Sequence, residues 1–179
     1  KDFILVPDPM VLARRPGTIL SALVHGRAQV KESFESEFRP IFMTATTGRS
    51  AEPTPLFYTQ RDLTHLATAG RRLVEVCAAR REDRLLNTFP FAPHLAFWLA
   101  HYAGTAAGVM TISSGGGKVT GTDGTIRHLR KFKPDVLIGI PTFVYHLLHQ
   151  AVAEGARCEN LRRIVLGGAR LELPRECWL

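Results

Sequence analysis

The stretch Val136-Leu137-Ile138-Gly139-Ile140-Pro141-Thr142-Phe143 joins an uninterrupted apolar run to a proline that suits the first turn of a helix. An apolar run without polar alternation is typical of a strand buried on both faces, as in a parallel sheet. The stretch therefore predicts a strand over 136–140 and a helix over 142–154.

The same alternation extends upstream and downstream of this stretch. Short apolar runs predict strands over 85–89, 108–112 and 163–166, and the segments between them predict helices over 94–102 and 125–132. The short connections favour a parallel sheet covered by helices, with right-handed crossovers. The predicted fold class is α/β, with a mostly parallel sheet flanked by helices.

Ligands of open parallel sheets gather beyond the carboxyl ends of the strands. The segments that follow the predicted strands are 90–94, 113–121, 141–143 and 167–170. Among them, Ser113-Ser114-Gly115-Gly116-Gly117-Lys118 resembles a Walker phosphate loop in composition only, because Val119 replaces the Ser or Thr that holds magnesium. We predict a flexible surface loop at this position.

A polar stretch, Thr44-Ala45-Thr46-Thr47-Gly48-Arg49, lies between strand-like runs at 38–43 and 56–58. This order predicts a loop that joins two strands. Hydroxyls, backbone amides and a guanidinium in one loop suit an anion such as a phosphate. A threonine-rich hairpin with a surface arginine and no chemical role explains the same residues, so both interpretations stay open.

A helix is predicted over 59–81, after this polar stretch. Thr59 and Asp62 form a capping pair at its start. Gly70 is expected to weaken the middle of the helix, and Arg80-Arg81 are expected to complement the helix dipole at its end.

The composition limits the partners of this 179-residue chain, whose net charge is +7. Because the basic residues are spread along the chain, we expect attraction for anionic ligands and no nucleic-acid partner. No apolar run reaches the length of a bilayer span, and residues 1–7 lack the pattern of a secretory signal. We therefore expect no membrane partner and a cytoplasmic location. Cys77, Cys158 and Cys177 fit neither a disulfide framework nor a zinc site.

Two further groups of residues have structural interpretations. His146 and His149 stand at helical spacing, but a third ligand and a nearby acid are missing, so we predict no metal site. Met43, Met110 and the pair Phe97-Trp98 are predicted to lie in the core.

The polar stretch and its surroundings resemble a family signature. A hydroxyl, a small residue, two threonines, a glycine and a cation occupy 44–49, a Pro-Thr pair follows at 53–54, and Tyr58-Thr59-Gln60-Arg61-Asp62-Leu63 opens a helix. This order resembles the adenylate-forming superfamily, which includes acyl-CoA synthetases and the adenylation domains of peptide synthetases. Residues 37–41 and 58–59 are most similar to the phenylacetate-CoA ligase branch.

The resemblance implies an ATP-dependent ligase that activates an (aryl)carboxylic acid as an acyl-adenylate and transfers it to coenzyme A, with Mg²⁺ bound. The residues that match the family's nucleotide-binding positions are Thr44, Thr46, Thr47, Gly48, Arg49, Gly167, Gly168 and Ala169. The residues that match its acyl-pocket positions are Phe91, His94, Pro141 and Thr142. No catalytic residue is assigned. A tight turn also explains the glycine pair, a packed and satisfied histidine is the more common outcome for a residue such as His94, and a strand followed by a proline-started helix also explains 139–143. These alternatives stay open.

The sequence departs from the family pattern in the polar stretch. Ala45 stands where relatives have glycine, Arg49 replaces a lysine, and Ser50-Ala51-Glu52 are inserted before Pro53. The methyl group of Ala45 disfavours a positive φ that glycine permits, so a lower affinity for phosphate or a different turn is expected.

The chain ends at Leu179, before the family's magnesium-binding acid, its ribose-binding aspartate and the domain that carries its lysine. We expect 1–37 to be a lead-in segment, with a helix over 18–30 and a charged connector over 31–37. Residues 38–179 are expected to be part of an adenylation domain that cannot complete adenylation alone. The alternatives are a catalytically inactive nucleotide-binding or interaction module derived from such a ligase, and a basic nucleic-acid binder. A homodimer is compatible with the sequence.

Overall fold

Strands and helices alternate along the chain. The computed structural model describes residues 14–46, 52–92 and 94–169. Its helices are α1 (Pro16–His25), α2 (Arg27–Phe38), α3 (Gln60–Val76), α4 (Leu95–Ala107), α5 (Gly121–Phe132) and α6 (Pro141–Ala153). Its strands are β1 (Phe42–Ala45), β2 (Pro55–Tyr58), β3 (Arg84–Asn87), β4 (Met110–Ser113), β5 (Val136–Gly139) and β6 (Arg163–Leu166). Two compact units divide between His65 and Leu66, so α3 begins in the first unit and continues in the second.

The first unit contains a helix break where the sequence predicts one continuous helix over 18–30. Gly26 has a φ of 86° and separates α1 from α2. The connector predicted over 31–37 is wrong, because these residues belong to α2. None of the residues of α2 is buried, so the helix has no apolar stripe that the sequence could display.

A two-stranded antiparallel sheet follows these helices in the first unit. Strand β1 pairs with β2, and Ala45 stands opposite Pro55. The amide of Thr46 donates a hydrogen bond of 3.1 Å to the carbonyl of Thr54, which extends the pairing by one step. The two predicted strands are confirmed, although Thr44 and Ala45, which the sequence predicts in the loop, belong to β1. Residues 47–51 lie outside the described part of the chain.

The start of α3 is capped as predicted. The amide of Thr59 donates to Asp62 Oδ2 at 2.8 Å, and the amide of Asp62 donates back to Thr59 Oγ1 at 3.2 Å. This reciprocal arrangement satisfies two amides that have no partner within the helix.

The end of α3 differs from the prediction. The helix ends at Val76, because Ala78 adopts a φ of 49° and the amide of Ala79 turns back to the carbonyl of Val74. Arg80 therefore lies beyond the helix, and its amide donates to Asp83 Oδ2 at 2.9 Å. The expectation that Arg80 and Arg81 complement the dipole of this helix is wrong.

The second unit contains a four-stranded parallel sheet in the order β4-β3-β5-β6. Leu86 on β3 stands between Ile112 on β4 and Leu137 on β5, which fixes the register of the three strands. The chain adds β4 on one side of β3 and then β5 on the other, so the strand order reverses between β3 and β5. The predicted α/β fold with a parallel sheet is confirmed.

Both faces of this sheet are covered at its central strands β3 and β5, whereas Ile164 and Leu166 of β6 are exposed. On one face, Leu85 and Val136 pack with Phe97 of α4, in what we call the α4-side core. On the other face, Leu86 and Leu137 pack with residues of α5 and α6, in what we call the α5-side core. Because neighbouring residues of a strand face opposite sides, an uninterrupted apolar run such as 136–138 serves both cores.

Three residues contribute to packing differently from the prediction. A Cβ placed on Gly70 would lie 2.6 Å from the Cα of Ala103, so this glycine permits the close approach of α3 and α4. Met43 and Met110 are each 56% exposed, and their predicted place in the core is wrong. Met43 lies in the two-stranded sheet and Met110 at the start of an edge strand, where side chains are covered incompletely. Phe97 is buried as predicted.

A buried carboxylate lies at the amino end of the sheet. Asp83, which is 2% exposed, forms an ion pair with Arg162, and its Oδ2 lies 3.9 Å from Arg163 Nη1. The second distance is too long for a hydrogen bond, so that contact is Coulombic. Because Arg162 directly precedes β6 and Arg163 is its first residue, these pairs hold the start of β6 to the start of β3.

No helix within the described residues is long and apolar enough to cross a bilayer. Over the same ranges, no group of three His, Cys, Asp or Glu side chains is arranged to hold a metal ion. Cys77 and Cys158 are free thiols that are partly buried, and burial raises the pKa of the Cys158 thiol. Cys177 lies outside the described part of the chain.

Candidate functional site

The carboxyl ends of β3 and β5 are tied together where the strand order reverses. The hydroxyl of Thr88 donates to the carbonyl of Ile138 at 2.8 Å, and the amide of Thr88 donates to the same oxygen at 2.9 Å. A Cβ placed on Gly139 would lie 2.0 Å from the Thr88 hydroxyl, so glycine permits this contact. In open α/β sheets the reversal of strand order is the place where ligands bind.

Asn87 holds three segments together at this edge, although its side chain is fully buried. Its Nδ2 donates to the carbonyl of Phe97 in α4 at 3.1 Å, and its Oδ1 accepts from the amide of Phe89 at 3.1 Å. Its backbone carbonyl accepts from the amide of Ser114 at 3.0 Å and from the Ser114 hydroxyl at 3.3 Å. Sequence reasoning missed this role, and the signal for it was the polar pair Asn87-Thr88 at the end of an apolar strand.

Residues 114–120, which we call the glycine loop, follow β4 and pack onto the same edge. The predicted surface position is wrong for the first three of them, because Ser114 is 1% exposed and Gly115 and Gly116 are buried. A Cβ on Gly116 would lie 2.8 Å from the carbonyl oxygen of Thr88. The hydroxyl of Thr120 donates to the carbonyl of Ser114 and closes the loop.

The predicted substrate-lining residues lie at or next to this edge. Phe91 is half-buried, with its ring centroid 4.6 Å from that of Phe97 in an edge-to-face arrangement. Pro141 is the buried first residue of α6, and Thr142 beside it is exposed. His94 is half-buried and directly precedes α4.

The glycine pair after β6 lies on the same edge. The amide of Gly167 donates to the carbonyl of Gly139 at 3.1 Å. Gly168 is exposed with a φ of 79°, and a Cβ placed there would lie 3.5 Å from the ring of Phe89 and 3.8 Å from Ile140. Ala169 is exposed. The structure thus brings the predicted glycine pair to the segments that follow β3 and β5.

The predicted phosphate-binding residues belong to the first unit. Thr44 is 2% exposed, and its hydroxyl lies 3.3 Å from the hydroxyl of Tyr58. Thr46 is exposed, and its Oγ1 accepts a hydrogen bond of 2.9 Å from the amide of Thr54. Thr47, Gly48 and Arg49 lie outside the described part of the chain. Phosphate binding by these five residues stays a prediction.

The edge of the parallel sheet is apolar and carries little charge. In the segments 88–94, 114–120, 140–143 and 167–169, the ionisable side chains are His94 and the exposed Lys118. Backbone amides, small residues and phenyl rings make up most of the rest. Such a surface suits a flat or apolar group.

Comparison with solved structures defines the class of fold. The chain is similar to 2-hydroxyisobutyryl-CoA ligase in complex with 2-HIB-AMP and CoA, with a TM-score of 0.63, 19% identity, and coverage of 73% of this chain and 30% of that one. It is also similar to o-succinylbenzoate coenzyme A synthetase from Bacillus subtilis in complex with AMP, with a TM-score of 0.55, 20% identity, and coverage of 75% and 26%. The chain therefore has the fold of acyl-CoA ligases of the adenylate-forming superfamily.

Sequence comparison narrows the resemblance. The chain is 25% identical to phenylacetate-coenzyme A ligase of Pseudomonas putida over 126 residues, which are 70% of this chain and 28% of that ligase. It is 24% identical over 106 residues to the Escherichia coli K12 enzyme of the same name, and these cover 59% of this chain and 24% of that enzyme. No protein-family model matches the chain. The resemblance to phenylacetate-CoA ligases is confirmed, over about a quarter of the length of these relatives.

Proposed function

We propose that the chain is part of an ATP-dependent carboxylate–CoA ligase, which activates an (aryl)carboxylic acid as an acyl-adenylate and transfers the acyl group to coenzyme A. The observation that carries this proposal is the meeting of the segments after β3, β4, β5 and β6 at the reversal of strand order. Among the ligases that share the fold, one structure contains AMP and another contains an acyl-AMP and CoA. ATP would supply the adenylyl group that activates the acid.

The glycine pair after β6 fits a flat nucleotide base. Gly168 has no side chain and is exposed beside the ring of Phe89 and the side chain of Ile140. The hydrogen bond from Gly167 to Gly139 fixes the backbone next to it. We assign Gly167, Gly168 and Ala169 to adenine on this basis, because an exposed backbone held in place allows an aromatic ring to approach closely.

The rings at the edge fit the organic group of the acid. Phe91 is held against Phe97, and Pro141 begins α6 immediately after β5. Phe91, His94, Pro141 and Thr142 would orient the acid, and the apolar surroundings would keep water from the reactive acyl group. We assign the acid to the class of aryl and other apolar carboxylic acids.

In the first unit, Thr44, Thr46, Thr47, Gly48 and Arg49 are assigned to the phosphate groups. The Thr46 oxygen accepts a hydrogen bond from Thr54, so the hydroxyl keeps its own proton for donation to a phosphate oxygen. A positioned donor to the charge that develops in a transition state contributes about 2.7 to 4 kcal/mol. No described residue is assigned to Mg²⁺ or to coenzyme A.

Calorimetric titration of the chain with AMP and with ATP tests the proposal. Alanine at Gly168 would place a methyl group beside Phe89 and Ile140, where the base is proposed to lie, and we expect at least tenfold weaker binding. Gly155→Ala is the matched control, because Gly155 has a similar φ of 68° and no atom near its missing side chain. Absence of nucleotide binding at millimolar concentrations, or equal binding by both variants, would contradict the assignment.

A further inference from the structure

Three consecutive glycines of the glycine loop contact two other segments of the sheet edge. A Cβ on Gly115 would lie 2.2 Å from Cε2 of Phe91, and one on Gly117 would lie 2.9 Å from Cε2 of Phe143. A Cβ on Gly116 between them would meet the carbonyl of Thr88 at 2.8 Å. Side chains at these positions would overlap the neighbouring segments, so the loop can lie there only without them.

The phenyl rings on either side of this loop belong to different layers. Phe91 packs against the α4-side core, and Phe143 packs against the α5-side core. The loop therefore passes over the carboxyl edge of the sheet between the two layers. Since Gly115 and Gly117 are two residues apart, their Cα atoms are at most about 7 Å apart, and the two rings flank one short piece of backbone.

We propose that Gly115 and Gly117 are positioning residues that determine substrate specificity, because they set where the rings of Phe91 and Phe143 stand at the edge. The inference rests on the proposed ligase function and names the residues that determine which size of acid the site accepts. A methyl group at either glycine moves one ring and changes the space left for the organic group of the acid. A change of one methylene in a hydrophobic pocket alters discrimination by about 10- to 200-fold.

Gly121→Ala is a matched control for Gly115→Ala. The two glycines have φ values of 71° and 72°, a region in which alanine is strained at either position. No atom lies within 4 Å of a Cβ on Gly121, whereas one on Gly115 would overlap the Phe91 ring and lie 3.0 Å from Cβ of Val119. A difference between the variants therefore reports these two contacts, of which the one with the ring is the closer. Gly117→Ala is a second test that involves no positive φ, and it keeps the proposal testable if Gly115→Ala does not fold.

The position of Phe91 can be followed without a ligand. The Phe91 ring contacts Phe97, and the Phe97 ring centroid lies 5.2 Å from that of Trp98. We expect Gly115→Ala to change the NOE contacts between the Phe91 and Phe97 rings, and Gly121→Ala to leave them unchanged.

The experiment measures binding of phenylacetate and of acetate to the wild-type chain and these variants by NMR titration. We expect the ratio of the two affinities to change at least tenfold in Gly115→Ala or Gly117→Ala, and to stay within threefold in Gly121→Ala. An unchanged ratio in variants whose ring contacts have moved would overturn the inference and leave the proposed function standing. Failure of the wild-type chain to bind either acid would overturn the proposed function and the specificity role with it.

Discussion

The Thr88 hydroxyl and the Ile138 carbonyl form a buried hydrogen bond of 2.8 Å that joins β3 and β5 at the reversal of strand order. This bond fixes the carboxyl edge on which the candidate site lies. The arrangement depends on Gly139, because any side chain there would displace the hydroxyl.

Thr88→Val removes this hydroxyl and retains the shape of the side chain. We expect a loss of about 1 to 2 kcal/mol in the free energy of unfolding, because the hydroxyl is buried while the Thr88 amide still serves the same carbonyl. Urea denaturation followed by circular dichroism measures the loss. Thr105→Val is the control, since Thr105 donates to His101 at the same distance of 2.8 Å but is exposed. Equal losses in the two variants would contradict the assigned role.

Alanine substitutions at two helical glycines are expected to have opposite effects. Helix propensity alone favours alanine over glycine by about 1 kcal/mol. Gly17→Ala in α1 should approach that gain, because no atom lies within 4 Å of its Cβ position. Gly70→Ala in α3 should instead cost about 1 to 3 kcal/mol, since its methyl group would overlap the backbone of Ala103. Thermal denaturation of both variants tests this, and a stabilised Gly70→Ala would refute the packing of α3 on α4.

The buried carboxylate of Asp83 is expected to contribute more to the free energy of unfolding than an exposed carboxylate does. Asp83→Ala removes the closer of two carboxylates that pair with Arg162, since Asp135 Oδ1 lies 3.7 Å from its Nη2. It also removes the carboxylate 3.9 Å from the buried Nη1 of Arg163. We expect the free energy of unfolding to fall by about 3 kcal/mol. This is the low end of the range for a broken buried ion pair, because both arginines are partly exposed. Glu159→Ala should cost less than about 0.5 kcal/mol, because its pair with Arg157 is exposed. Chemical denaturation that gave similar values for the two variants would count against the buried cluster.

The thiol of Cys158 should react slowly in the folded chain. Burial raises its pKa, so it stays protonated to higher pH in the folded than in the unfolded state, and the thiolate is the reactive form. The contribution of the Cys158 thiol to stability is complete at pH values below its pKa in the unfolded chain. This contribution is lost as the pH rises through its pKa in the folded chain. Peptide-resolved alkylation by iodoacetamide across pH 7 to 10 should show a higher midpoint in buffer than in urea. Coincident midpoints would contradict the effect of burial.

The order of strands and helices was predictable because each strand carries its own signal. The run 136–139 is apolar at every position and buried at every position. The strand over 163–166 was predicted with its observed bounds. Helix α2 was not predictable, because it lacks a buried stripe and its charged residues resemble a connector. The order of the strands in the sheet was also not predictable, since it depends on contacts between residues far apart in the chain.

The candidate site was predictable only in part, for a related reason. Phe91, Pro141, Gly167 and Gly168 follow strands, and the rule for parallel sheets brings such residues to one edge. The role of Gly115 and Gly117 depends on rings that stand more than 20 residues away in the chain, and a glycine run alone resembles a flexible loop. Likewise, the packing role of Gly70 depends on its close contact with Ala103, which is more than 30 residues away in the chain.

We propose that the carboxyl edge of the parallel sheet binds the adenylate and the acid. Amide shift mapping of the ¹⁵N-labelled chain during titration with AMP and phenylacetate locates the bound ligands. We expect the largest shifts at 115–117, at Ile140 and at 167–169, with little change around Asp83 and Asp135 at the opposite end of the strands. Shifts confined to that opposite end, or no shifts at millimolar ligand, would contradict the account.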